Sequence, residues 1–148
     1  IRYSYYAEDI NVGGLMSLMG GVSEEEKATY EAPYPESRYK AGAQIFPYLI
    51  PSQLRENERV WKEVFEKWDK PFLIAFSDED PVSSNNPILD QLFRERIPNP
   101  SWVVIKGAGH FVQEEVGPEY AKLINDFIAD RPVRGFSKKG DSLDIKNG

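Results

Sequence analysis

A chain of 148 residues, 41% hydrophobic and 13% aromatic, carries enough apolar material for a compact core and lies far from the composition of a disordered segment. Its formal charge of −6 argues against nucleic acid and anionic membrane surfaces as partners, because both require a clustered basic face, and Lys138-Lys139 is too short to supply one. With no cysteine, disulfides, thiolate catalysis and sulfur-built zinc sites are excluded, and the composition leans slightly toward a cytoplasmic setting. No apolar stretch approaches the roughly 20 residues of a membrane helix, and no signal peptide is visible. The chain begins at Ile1 rather than methionine, which predicts an origin inside a longer polypeptide or a trimmed one.

Three zones are expected. Residues 1–54 are rich in Tyr, Pro and Gly, residues 55–131 alternate helical and strand patterns, and residues 132–148 form a polar tail. In the first zone, Ser23-Glu24-Glu25-Glu26 reads as a helix start, with Ser23 as cap and Glu26 three residues on. Pro33 and Pro35 bracket a turn, and a short helix from Tyr39 to Ile45 should stop before Pro47 and Pro51. In the second zone, Val60, Trp61, Val64, Phe65 and Trp68 share one face of a helix expected from Arg55 to Trp68. Phe72–Phe76 is a continuous apolar run suited to a buried parallel strand, and the acidic loop Asp78-Glu79-Asp80-Pro81 follows it. Pro87 to Arg96 should be a helix burying Leu89, Leu92 and Phe93, Trp102–Ile105 a strand, and Gly107–His110 a tight turn. The last helix is expected from Pro118 to Ala129, with Tyr120, Leu123, Ile124, Phe127 and Ile128 inward. Alternation of helix and strand means an α/β protein with a parallel sheet. Two convincing strands cannot bury both faces alone, so the remainder of the sheet is expected from outside these residues.

The chain has one histidine, His110, directly after a glycine-rich turn at a strand's end, where open α/β sheets gather ligands and catalytic groups. A lone histidine can equally be a satisfied polar group. Asp80 changes the weighing, because it follows the preceding strand and would meet the imidazole across the top of the sheet, fixing its tautomer and stabilising its charged form. Asp78 and Glu79 are rivals for that role, and the three acids can also be read as a solvated loop. Asp80 is favoured because Pro81 fixes the backbone just after it.

Pro71–Phe76 with Asp80-Pro81-Val82, followed by Gly107-Ala108-Gly109-His110-Phe111-Val112-Gln113-Glu114, resembles the acid and histidine segments of α/β-hydrolases. The stretch Tyr30-Glu31-Ala32-Pro33-Tyr34-Pro35, then Tyr39-Lys40-Ala41-Gly42 and Phe46-Pro47, is similar to the end of the cap in haloalkane dehalogenases and its return to the main domain. The resemblance runs from about Asp9 to Arg131. It implies a partial α/β-hydrolase fold: C-terminal parallel strands and helices plus the end of a helical cap. It also implies hydrolytic dehalogenation, in which an aspartate displaces halide from an sp³ carbon and a histidine-activated water opens the resulting ester. His110 would be the base and Asp80 its acid partner. Phe46, Pro47, Ile50 and Val82 would line the pocket for a small halogenated alkane.

The chain departs from the family pattern in two places. No nucleophile elbow of the Gly-x-Asp/Ser-x-Gly kind stands in it, since Gly20-Gly21 and Gly140-Asp141-Ser142 lack the strand before and helix after. Trp61, Trp68 and Trp102 read as core residues rather than halide ligands. The resemblance therefore implies an N-terminal half that supplies the nucleophile, and a chain that is inactive by itself. Epoxide hydrolysis or ester hydrolysis on the same fold, and a non-catalytic remnant or proteolytic fragment, are the alternatives. No metal-ligand cluster, calcium loop or phosphate cradle is present in the sequence, and hydrolysis of this type requires no cofactor.

Overall fold

The computed structural model describes residues 6–82 and 87–138, the side chains of residues 87–90 excepted. They group into two compact units, residues 6–18 with Val22–Val64 and Met19–Gly21 with residues 65–82 and 87–138.

The first unit is helical. Helix α1 (Val12–Met19) starts on Asn11, whose Oδ1 accepts the Gly14 N–H at 2.7 Å. A second donor of that first turn, Gly13 N–H, is satisfied by Glu31 from helix α2 (Glu24–Glu31) at 3.0 Å. Helix α2 opens on the capping box read from the sequence, with Glu26 N–H donating to Ser23 Oγ and Ser23 N–H to Glu26 Oε2. The inward anchor of this unit is Lys40, which is 5% exposed. Its ammonium donates to the Ile10 carbonyl and to the carboxylates of Asp9 and Glu31.

The Lys40 cluster makes the unit's stability depend on pH. The Lys40 hydrogen bond and the backbone N–H donors hold the Glu31 carboxyl below its ordinary value, and Glu31 and Asp9 hold the Lys40 ammonium above its own. Glu31 therefore contributes stability above the ordinary carboxyl range and loses it as pH falls through the lowered value. Lys40 contributes below the ordinary lysine range and loses it as pH rises through the raised one. In thermal melts across pH, Glu31→Gln should flatten the acid limb. An acid limb that the substitution leaves unchanged would remove this cluster from the account.

Two sequence expectations fail in this unit. Helix α3 (Ala41–Ser52) runs through Pro47 and Pro51 instead of stopping before them. Each proline removes one intrahelical donor and crowds the preceding turn. Ser52 Oγ also donates to the Leu49 carbonyl at 2.8 Å in the last turn. Helix α4 (Leu54–Glu63) ends at Val64, short of the expected Trp68. Its surface carries ion pairs at helical spacing, Arg59 with Glu56 and Glu63, and Lys62 with Glu58. Beyond Val64 a short 3₁₀ turn (Phe65–Lys67) stacks Phe65 on Trp68 at 6.1 Å, and both meet Phe72 edge-on at 6.2 and 6.4 Å. That aromatic cluster, joined to the start of the first strand, explains why the helix does not continue.

The second unit contains a parallel sheet in the order β1-β2-β3. Strand β1 (Leu73–Ser77) pairs with β2 (Ser101–Lys106), Leu73 opposite Ser101 and Ser77 opposite Ile105. Helix α5 (Pro87–Arg96) covers one face, where Phe93 meets Phe76 edge-on at 5.7 Å and the Arg94 guanidinium lies 4.6 Å over the Trp102 ring. Leu92 and Phe93 are half-buried there, and Ile97 just beyond is fully buried; the expectation for Leu89 lies outside the described side chains. On the opposite face, Val103 and Ile105 pack with Ala108 and with Val116 and Leu123 of helix α6 (Val112–Ile128). Helix α6 bends at Val116, so that Pro118 begins its second, longer segment, as proline does at a helix start. Within α6 Leu123 is buried, but Ile124 is 39% and Ile128 74% exposed, against the expectation that both turn inward. The inward stripe is narrow because the described sheet offers it three short strands.

Residues assigned from sequence to a polar tail supply the third strand. Strand β3 (Phe136–Ser137) lies parallel to β2, with Ile105 opposite Phe136, and Val133 and Phe136 join the core. Gly135 permits this close approach, because a Cβ there would stand 2.4 Å from the Val104 carbonyl oxygen. Gly135→Ala should therefore loosen β3 from β2 at about 1–3 kcal/mol. Faster amide exchange at Lys138, whose N–H bonds the Lys106 carbonyl, would report it, and unaltered exchange would contradict it.

Candidate active site

The fold brings Asp80 and His110 together from loops topping the neighbouring strands β1 and β2. Nδ1 of His110 lies 2.9 Å from Oδ1 of Asp80. The Asp80 side chain is 8% exposed and that of His110 33%, so the carboxylate is enclosed while the imidazole still reaches solvent. Val82 N–H donates to the same Oδ1 at 2.7 Å, closing a small turn over Pro81 that fixes the carboxylate. With that oxygen as acceptor, the network assigns the proton to Nδ1 and leaves Nε2 as the ring nitrogen able to accept one. The Phe111 ring stands 4.9 Å away, roughly perpendicular to the imidazole.

The backbone of the histidine turn is tied to its surroundings peptide by peptide. Gly107, at φ +74°, makes the reversal after β2, and its N–H donates to Asp78 Oδ1 at 2.7 Å. Glu79 N–H donates to the Ala108 carbonyl, and His110 N–H to the Met19 carbonyl. Ser77 Oγ, buried at the end of β1, donates to the Gly109 carbonyl at 2.7 Å. The three acids are thus not rivals for one position. Asp78 binds the start of the turn through its side chain, Glu79 binds the middle through its backbone, and Asp80 reaches the imidazole.

Glu115 was not foreseen from the sequence. Its side chain is 5% exposed, Oε1 accepts the Gly109 N–H at 2.8 Å, and Oε2 pairs with the Lys138 ammonium. The one available signal was its place in the first turn of the helix after His110, a position that solvated carboxylates occupy equally often.

Of the expected pocket residues, Phe46, Pro47 and Ile50 lie on α3 in the first unit and Val82 follows Asp80 in the second. Phe46, Ile50 and Val82 are 64%, 58% and 55% exposed, so none of the three packs into its own unit's core. Phe46 and Ile50 are four residues apart and share a helix face. Trp68 and Trp102 sit in the aromatic and cation–π contacts of the second unit. Among the described residues, no group of three His, Asp or Glu side chains could hold a metal ion, and no helix is long and apolar enough to cross a membrane.

Adjacent parallel strands flanked by helices, with a buried acid after one and a histidine after the next, define a partial α/β-hydrolase fold. No protein-family model matches the chain. Curated sequences do. A haloalkane dehalogenase of Psychrobacter cryohalolentis is 37% identical over 142 residues, covering 88% of this chain and 45% of that protein. One from Mycolicibacterium paratuberculosis is 32% identical over 82% of the chain and 42% of its own length, and haloalkane dehalogenase 1 of Mycobacterium bovis is 34% identical over 76% and 37%. The chain is similar over most of its length to haloalkane dehalogenases, and it spans less than half the length of these relatives.

Proposed function

We propose that this chain supplies the base and the acid of a haloalkane dehalogenase whose nucleophile and halide-binding residues lie outside it. The observation that carries the proposal is the 2.9 Å contact between His110 and Asp80, in a chain whose relatives bear the dehalogenase name. A carboxylate on the missing portion attacks the carbon bearing the halogen, halide leaves, and an alkyl ester forms. His110 Nε2 then takes a proton from water, and the hydroxide attacks the ester carbonyl. The alcohol departs, the carboxylate is regenerated, and the imidazolium returns its proton to solvent. Haloalkane and water thus become alcohol, halide and a proton. Asp80 keeps the Nδ1 proton in place throughout and offsets the charge on the imidazolium.

Phe46, Pro47 and Ile50 in the first unit, and separately Val82 in the second, are proposed as substrate-contacting residues on the resemblance alone. The exposure of Phe46, Ile50 and Val82 supports this, since a substrate contact must be available to something other than the unit's own core. The dehalogenase name shared by the relatives favours carbon–halogen bonds over the epoxides and esters that the same two segments would also serve.

The 148-residue chain alone should release no halide from haloalkanes. Joined to the portion of the Psychrobacter cryohalolentis relative that it does not match, it should release halide and alcohol in equal amounts. Halide release by the chain alone would contradict the proposal. So would a folded chimera that hydrolyses esters or epoxides and leaves haloalkanes untouched.

A further inference from the structure

We propose that Glu115 is the positioning residue of the histidine turn, its carboxylate fixing the Gly109 peptide so that His110 faces Asp80. This rests on the reading of His110 as the base. The residue just before His110 is held on both sides by side chains, the Gly109 N–H by Glu115 Oε1 at 2.8 Å and the Gly109 carbonyl by Ser77 Oγ at 2.7 Å. The next donor, His110 N–H, goes to the Met19 carbonyl at 3.1 Å. The direction of the Cα–Cβ bond of His110 follows from these anchors, and with it the approach of the ring to Asp80.

The space around the carboxylate is shaped for it. A Cβ built on Gly20, Gly21 or Gly109 would stand 2.9, 2.6 or 2.8 Å from the nearest Glu115 side-chain atom. These glycines leave room for the acid and nothing larger beside it. A buried carboxylate needs a counter-charge, which Lys138 provides from just past β3. Because the pair is neutral as a unit, its effect on the imidazole is geometric rather than Coulombic. Gln, which keeps an acceptor at the same reach, should therefore substitute for Glu115, while Ala has no acceptor and Asp falls short by one methylene.

Two measurements test this. In the 148-residue chain, Glu115→Ala and Glu115→Asp should speed amide exchange at Gly109 and His110 on the order of tenfold, and Glu115→Gln should leave it close to wild type. In the full-length enzyme, the Ala and Asp variants should slow ester hydrolysis about 10- to 100-fold. First-turnover halide release and kcat/KM should not change, kcat and KM falling together, and the Gln variant should recover the rate. The Asp variant carries the test if the Ala variant does not fold. Unchanged exchange in Ala and Asp would overturn the proposal, as would a Gln variant as impaired as Ala. Failure of the functional reading itself looks different: a wild-type full-length enzyme inert toward haloalkanes, whatever the exchange at Gly109.

Discussion

His110→Gln in the full-length enzyme should release one equivalent of halide and then stop, with the substrate's alkyl group left on the protein as an ester. Steady-state turnover should fall on the order of 10⁴-fold. Halide displacement needs a carboxylate and a halide site but no base, so the first half of the reaction should keep its rate. Ester hydrolysis needs water deprotonated at the ester carbonyl, and a glutamine amide does not take that proton at neutral pH. The measurement is rapid-quench halide release with intact-mass spectrometry of the protein. A burst of one equivalent with a mass increase of the alkyl group is the expected outcome. Multiple turnovers at wild-type rate would show that some other group activates the water.

Asp80 should matter less than His110, and its two substitutions should separate charge from orientation. Val82 N–H and His110 Nδ1 converge on the same oxygen of Asp80. In Asp80→Asn the Val82 donor keeps a carbonyl oxygen in that place, so the imidazole stays oriented while the counter-charge is lost. Ester hydrolysis should slow about 10²-fold. In Asp80→Ala neither oxygen remains, and the loss should approach about 10³-fold. Asp78→Asn serves as the control, because Asp78 binds the Gly107 N–H and not the ring. Its effect should be small, and a loss at Asp78 equal to that at Asp80 would mean that the acidic loop acts as a whole and that Asp80 has no separate role.

What the sequence made legible was local. The Ser23–Glu26 capping box, the apolar run of β1 and the glycine turn before His110 each announce themselves within a few residues, because the physical cause lies in those residues. The pairing of position 80 with position 110 was also readable, since strand order in an α/β unit leaves few ways to arrange two consecutive loop tips. The misreadings arise where a distant partner decides. Helix α4 stops at Val64 because Phe65 and Trp68 join Phe72, which no helical period records. Strand β3 is two residues long and owes its place to Gly135 passing close to Val104. Pro47 and Pro51 read locally as breakers, although helix α3 runs through both. Glu115 stayed invisible for the same reason as β3, since its partners Gly109 and Lys138 come from a turn and from beyond the last strand.

The single histidine makes one measurement especially direct, a nitrogen and proton NMR titration of the imidazole in the 148-residue chain and in Asp80→Ala. The neutral ring should carry its proton on Nδ1, with a low-field, slowly exchanging signal that disappears when the carboxylate is removed. A ring protonated on Nε2 and indifferent to position 80 would break the link between acid and base on which the proposed hydrolysis depends.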